Sequence, residues 1–291
     1  MTDASARLWE PSMSQGWAPR RDPPTVTGTL AVQMFGRFRA FWCGREVVLE
    51  SRAARAVLSL VTLRPRPWAR DAITAEIWPD AGYGPSARLR QALWLVRKGL
   101  ARSGADPAKV LDADDDTICL RPDILVQSDV ARFDELLRSR PPSLEAALGL
   151  YGGDFAEDLG LECLAARREH LSDLYEDALA SVAQARLAAG DLLSAQEAAI
   201  ALLERDPLRE EAHAVLIEVY GRIGSRSQVD RQYRRLTAVL ATELDAVPLA
   251  ETRVSYLIAL ARARARSVDV AVVLAKESGL AGRGYGSVTV S

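Results

Sequence analysis

Five cations and no anion stand between Pro85 and Gly104, in the stretch PSARLRQALWLVRKGLARSG. Guanidinium and amide groups are the side chains that read base edges. Arg pairs bidentately with guanine, Gln with adenine, and Lys or Arg elsewhere neutralises phosphates. At 100° per residue, Leu89, Leu93, Val96 and Leu100 fall on one narrow apolar stripe. Arg88, Arg90, Gln91, Trp94, Arg97, Lys98 and Arg102 occupy the arc away from it. A helix kept only for solubility mixes signs, because Glu–Lys pairs at i,i+4 support it. This one turns outward only cations, an amide and an indole. Trp94 either packs on a sugar or thymine methyl or folds back onto the hairpin that follows. The basic N-terminal turn opposes the helix dipole, a conflict that bound phosphate removes. These seven residues are the candidate contacts to double-stranded DNA.

Other chemistry is poorly supplied. His170 and His213 are the only histidines, each inside a helical run and read as surface or core residues. No HExxH, GxSxG or GxxxxGK[ST] occurs. GRGYG at 282–286 lacks the strand-to-helix context of a phosphate loop. Asp154, Glu157 and Asp158 follow Gly152-Gly153 with no calcium-loop spacing and read as a solvated turn. Cys43, Cys119 and Cys163 form no CxxC pair and read as reduced core thiols of a cytoplasmic protein. No catalytic residue, metal site or cofactor is expected, and the chain does not read as an enzyme.

The elements that must position the basic helix are legible around it. Three β-prone runs between 29 and 49 are separated by glycine turns. Ser51 opens a helix with Ala54, Val57, Leu58 and Val61 on one face, stopped by Pro65 and Pro67. A short helix runs from Asp71 to Trp78, and the basic helix follows. KVLDADDDTICLRP reads as a hairpin with an acidic tip, Asp114-Asp115-Asp116. Small sheet, three helices and hairpin make a winged helix-turn-helix, whose third helix enters the major groove.

From 131 onward the pattern is helical, and Glu176, Ala178, Ala180, Val182 and Gly190 return 34 residues later as Glu210, Ala212, Ala214, Leu216 and Gly224. That period is the tetratricopeptide one. The fold expected is mainly α, with an N-terminal winged helix-turn-helix and an all-α repeat domain behind it. The divisions read are a disordered arm at 1–28, the winged helix at 29–130, the repeat domain at 131–262 and a flexible tail at 263–291. Within the tail, SVDVAVVLA is left open between strand and helix. No run reaches 18 apolar residues, so no membrane span is expected. The near-neutral total of −2 hides an asymmetry. Residues 29–110 hold 14 Arg or Lys against 6 Asp or Glu, and residues 131–262 hold 15 against 22. A basic domain joined to an acidic one points the first at a polyanion.

Residues 29–137 resemble the winged-helix DNA-binding domain shared by OmpR-type response regulators and the SARP antibiotic-pathway activators. MFGRFRA, ARDAITAEIWPD, ARLRQALWLVRKGL and SDVARFDELL carry the likeness. Residues 143–262 resemble the bacterial transcriptional activator domain of SARP regulators, through LGLYGGDFAEDL, RREHLSDLYEDALASVAQARLAAGD and the segment beginning DPLREEAHAVLIEVYGRIG. The resemblance implies a transcriptional activator that binds direct repeats near a promoter and contacts RNA polymerase, with room for a homo-oligomer. It places the seven residues named above at or beside the recognition helix. Leu95 stands where family helices often carry a further Arg. The acidic hairpin tip departs from the family's glycine-containing turn and is expected to keep away from phosphate. The alternative is a helical-repeat interaction adaptor whose winged helix reads no DNA.

Overall fold

The computed structural model describes residues 27–64, 66–80 and 85–277, without the side chains of 85, 86 and 267–277. The arm read at 1–28 lies outside the described residues except for its last two, as does 278–291 of the tail. The chain divides into two compact units, one through Tyr175 and one from Glu176.

The first unit opens with β1 (Gly28–Gln33) and β2 (Arg39–Trp42), antiparallel with Leu30 opposite Trp42 and Gln33 opposite Arg39. Cys43 and Gly44 turn the chain back with φ of 46° and 83°. Two positive φ values in succession make the primed turn that suits the twist of a hairpin. β3 (Arg45–Glu46) completes it. The first helix, α1 (Arg52–Leu63), buries not only the expected Ala54, Val57, Leu58 and Val61 but also Ala56, Ser59, Leu60 and Thr62. A helix buried on most sides is the centre of a domain. A two-residue strand, β4 (Trp68–Ala69), leads into α2 (Arg70–Ile77), and the basic helix is α3 (Pro85–Arg102).

After α3 comes a single turn, α4 (Pro107–Val110), capped by Asp106 through the amide of Ala108. The hairpin follows as β5 (Leu111–Ala113) and β6 (Thr117–Leu120), starting later than the sequence suggests because α4 takes Lys109 and Val110. β4 pairs with the other edge of β6, so the wing is three-stranded, in the order β4-β6-β5. β7 (Ile124–Ser128) then runs parallel to β1, giving a four-stranded sheet ordered β3-β2-β1-β7. Neither β4 nor β7 is legible in the sequence: one is two residues long, and the other lies beside a strand almost a hundred residues away.

α5 (Asp129–Arg138) and α6 (Leu144–Leu148) follow. Their buried Phe133, Leu136 and Ala147 belong to the same core as Leu30, Leu58 and Leu93. Phe35, Phe133, Tyr151 and Tyr175 form a chain of ring contacts through it. Asp129 is buried and accepts the amides of Met34 (2.7 Å) and Phe35 (2.9 Å). Burial outweighs these donors and lifts its carboxyl to about 6. The loop of Asp154, Glu157 and Asp158 is not the solvated turn the sequence suggests. Phe155 bridges to Phe35, Ala156 donates its amide to the Met34 carbonyl at 2.7 Å, and Asp158 ion-pairs with Arg55. Buried Phe155 and Ala156 pin it down.

The three cysteines are also not core thiols. Cys43 sits exposed in its turn, Cys163 is exposed, Cys119 is half-buried on β6, and all three are free. A two-residue turn has no interior to offer Cys43.

α7 (Ala165–Ala189) carries the chain into the second unit, which continues as α8 (Leu192–Arg205), α9 (Glu210–Ile223), α10 (Arg226–Leu244) and α11 (Ala250–Glu277). The 34-residue period is physical. Gly190 and Gly224 take φ of 83° and 91° where α7 and α9 end, and Ala178 and Ala212 are both buried. α9 packs against α8, α10 and α11. His213 is a satisfied core histidine: Gln232 contacts its Nδ1 at 2.8 Å, the Pro207 carbonyl lies 3.1 Å from Nε2, and burial lowers its pKa. The segment left open between strand and helix is helical as far as Glu277.

Candidate nucleic-acid interface

The seating of α3 is what makes its outer face a face. Leu89, Leu93, Val96 and Leu100 are all buried in the core with Val57, Val61 and Ile73. Burying four such side chains stabilises the arrangement by several kcal/mol. Gly99 lets the helix sit closer still: a Cβ there would lie 2.7 Å from Leu49 Cδ2 and 3.0 Å from the Val48 carbonyl oxygen. The C-terminus is closed by Gly104 at φ 91° and by Ser103 Oγ, which donates to the Leu100 carbonyl at 2.7 Å. Leu95 is half-buried and packs against the core, so its apolar character serves the scaffold.

Arg88, Arg90, Gln91, Trp94, Arg97, Lys98 and Arg102 are all exposed. Among the described residues none of the five cations has an ion-pair partner, whereas arginines elsewhere in this unit do: Arg39 with Glu46, Arg55 with Asp158, Arg121 with Asp112. Trp94 is 55 % exposed and does not fold back onto the hairpin. Lys98 lies over it, its Nζ 4.8 Å from the ring centroid, one helical turn away.

A cleft of about 470 Å³ runs between α3 and the wing, lined by Arg70, Arg90, Leu93, Arg97, Ala113, Asp114 and Asp115. Of the seven candidates, then, only Arg90 and Arg97 face it. Arg88, Gln91, Trp94, Lys98 and Arg102 do not line it. The residue that sequence reasoning missed is Arg70. Its amide donates to the Asp116 carbonyl at 3.0 Å and its guanidinium to the Asp114 carbonyl at 2.8 Å. No local pattern marks it, since it faces the cleft only because α2 starts where β4 pairs with the wing.

The acidic tip has a structural reason. Asp114 takes the place of a glycine turn by accepting the amides of Asp116 (2.8 Å) and Thr117 (2.6 Å) on one carboxylate oxygen. The Thr117 amide is the leading cause that holds its pKa below the usual carboxylate value. Asp115 lies in the cleft without that turn-forming role.

Residues 127–257 match the model of the bacterial transcriptional activator domain. The chain carries a bacterial transcriptional activator domain. The match covers 131 of the 291 residues, in the helical part of the chain behind the winged helix. Among solved structures, the chain is similar in fold to Mycobacterium tuberculosis EmbR, described in complex with a low-affinity phosphopeptide. The TM-score is 0.63 at 23 % identity, over 85 % of this chain and 71 % of that one. No curated protein matches by sequence. No described helix of this chain is long and apolar enough to cross a membrane, and the described residues hold no His, Cys, Asp and Glu cluster fit for a metal ion.

Proposed function

We propose that this chain is a SARP-type regulator, a sequence-specific DNA-binding activator that lays α3 into the major groove near a promoter. One observation carries the reading: five exposed cations on one helix, none with an ion-pair partner among the described residues. Cations left unpaired on a domain with net positive charge are suited to an external polyanion. Arg90 and Arg97, at the mouth of the cleft, are the base-reading candidates. Arg88, Lys98 and Arg102 serve phosphates, Gln91 an adenine edge, and Trp94 a sugar or thymine methyl. The acidic activator domain then contacts RNA polymerase, in the cytoplasm, as its family implies.

The test is selection of a duplex from randomised DNA with the full chain, followed by binding measured across salt. Log K falls linearly with log salt if several phosphates are neutralised. Arg90→Ala with Arg97→Ala weakens the selected site at least about thirtyfold while the unfolding curve stays put. Affinity unchanged by that pair sinks the proposal. The second reading, an adaptor that reads no DNA, draws on Asp115 lining the same cleft as both arginines; a response flat in salt, with no enriched duplex, favours it.

A further inference from the structure

Arginines of the second unit are spent on its own carboxylates, with one group set apart. From Arg186 to Arg226 every arginine is ion-paired: Arg186 with Asp191, Arg205 with Glu176, Arg209 with Asp177, Arg222 with Glu218 and Arg226 with Asp230. The next three, Arg231, Arg234 and Arg235 on α10, are exposed and have no ion-pair partner among the described residues. Carboxylates are not scarce, since acidic residues outnumber basic ones by 22 to 15 between 131 and 262. None is placed to meet these three cations.

At 100° per residue the three arginines share an arc of about 100°, opposite the buried Val229, Leu236 and Leu240. Ser227, Ala238 and Thr242 fall on the same arc and are exposed. Asp230 and Glu243, the acidic residues of α10, lie off it. Asp230 is also occupied, since it accepts the Tyr256 hydroxyl at 2.8 Å. Arg231 and Arg235 stand at i,i+4, where like charges destabilise a helix. A bound polyanion removes that cost. The composition of the arc identifies the occupant. Protein interfaces are built around buried aromatic or large apolar anchors, and this arc has nothing larger than alanine. Arginine with serine and threonine is instead the donor set that meets a nucleic-acid backbone, which needs no anchor. Guanidinium groups pair bidentately with phosphate.

We infer that Arg231, Arg234 and Arg235 of α10 form a second contact to double-stranded DNA, one that holds backbone phosphates and reads no sequence. It goes beyond the base reading proposed for α3 and is tested without it. The full chain is titrated with a duplex of arbitrary sequence, about 40 base pairs long, across a range of salt. Arg231→Gln, Arg234→Gln and Arg235→Gln together weaken binding at least about tenfold at low salt, and the slope of log K against log salt becomes shallower by about two to three. Helicity and the unfolding midpoint stay unchanged, because all three side chains are exposed. Lysine at the same three positions keeps the wild-type slope, since the slope counts charges. The same loss appears in a chain that already carries Arg90→Ala and Arg97→Ala. That background separates the two surfaces: if α3 reads no DNA, the alanine pair alone changes nothing and the α10 loss remains. Affinity and slope unchanged by the three glutamines overturn the inference and leave the face to an acidic protein. A lysine variant with the slope of the glutamine one overturns it too.

Discussion

Arg90 and Arg97 stand seven residues apart, two helical turns, and look into one cleft with Asp115 on its far wall. On the proposed reading, a carboxylate so placed repels the DNA that those arginines approach. Asp115→Asn is therefore expected to tighten DNA binding about two- to fivefold at low salt, with the gain shrinking as salt rises. Asp114 is a poorer target, because its carboxylate holds two backbone amides of the turn. Asp129 supplies a prediction about stability. Its folded pKa of about 6 lies above the unfolded 3.8. The protonated carboxyl is thus favoured by folding, and its contribution is complete below about pH 4 and lost as pH rises toward 6. A shift of this size is worth about 3 kcal/mol. The unfolding free energy of wild type minus that of Asp129→Asn, measured by denaturant at pH 4 and pH 7, is expected to fall by that order. A difference constant with pH would show that the buried carboxyl does not titrate in this window.

At the scale of elements, α3 was legible because its apolar stripe and its cations obey one period. The strands that steady it were not. β7 pairs with β1 through contacts that no local pattern encodes, and β4 is held by its register with Ile118 rather than by its composition. Helix-to-helix distance was equally invisible. Gly221 lies inside α9, where replacing glycine by alanine ordinarily stabilises by about 1 kcal/mol. Here a Cβ would stand 2.7 Å from Ala259 Cβ and 2.8 Å from its Cα, and backbone cannot step aside. Gly221→Ala is expected to destabilise the second unit by about 1–3 kcal/mol instead, read as a lower midpoint in urea. A rise in the midpoint would mean that α9 and α11 separate at little cost.

At the scale of the whole molecule, the domain boundary read between 130 and 131 and the compact unit through Tyr175 divide the chain differently, and a truncation separates them. Phe133, Tyr151, Phe155 and Leu159 complete the core around Phe35 and Met34. A chain ending at 130 leaves that apolar surface in water and loses the strap that carries Phe155. It is expected to melt more than about 10 °C below a chain ending at Gly190, by circular dichroism. Equal melting temperatures would show that the winged helix stands without the first activator helices.

The sequence by itself determined which residues are scaffold and which are offered outward on α3, the order of the helices, and the 34-residue repeat. All of these are periodic and local, so they survive without coordinates. Only the tertiary structure decided that Trp94 stays exposed, that Arg70 joins Arg90 and Arg97 at one cleft, that Leu95 serves the core, and that the loop at 154–158 is fastened rather than solvated. Those facts depend on partners many residues away, and a chain's own pattern records a side chain's chemistry but not its neighbours.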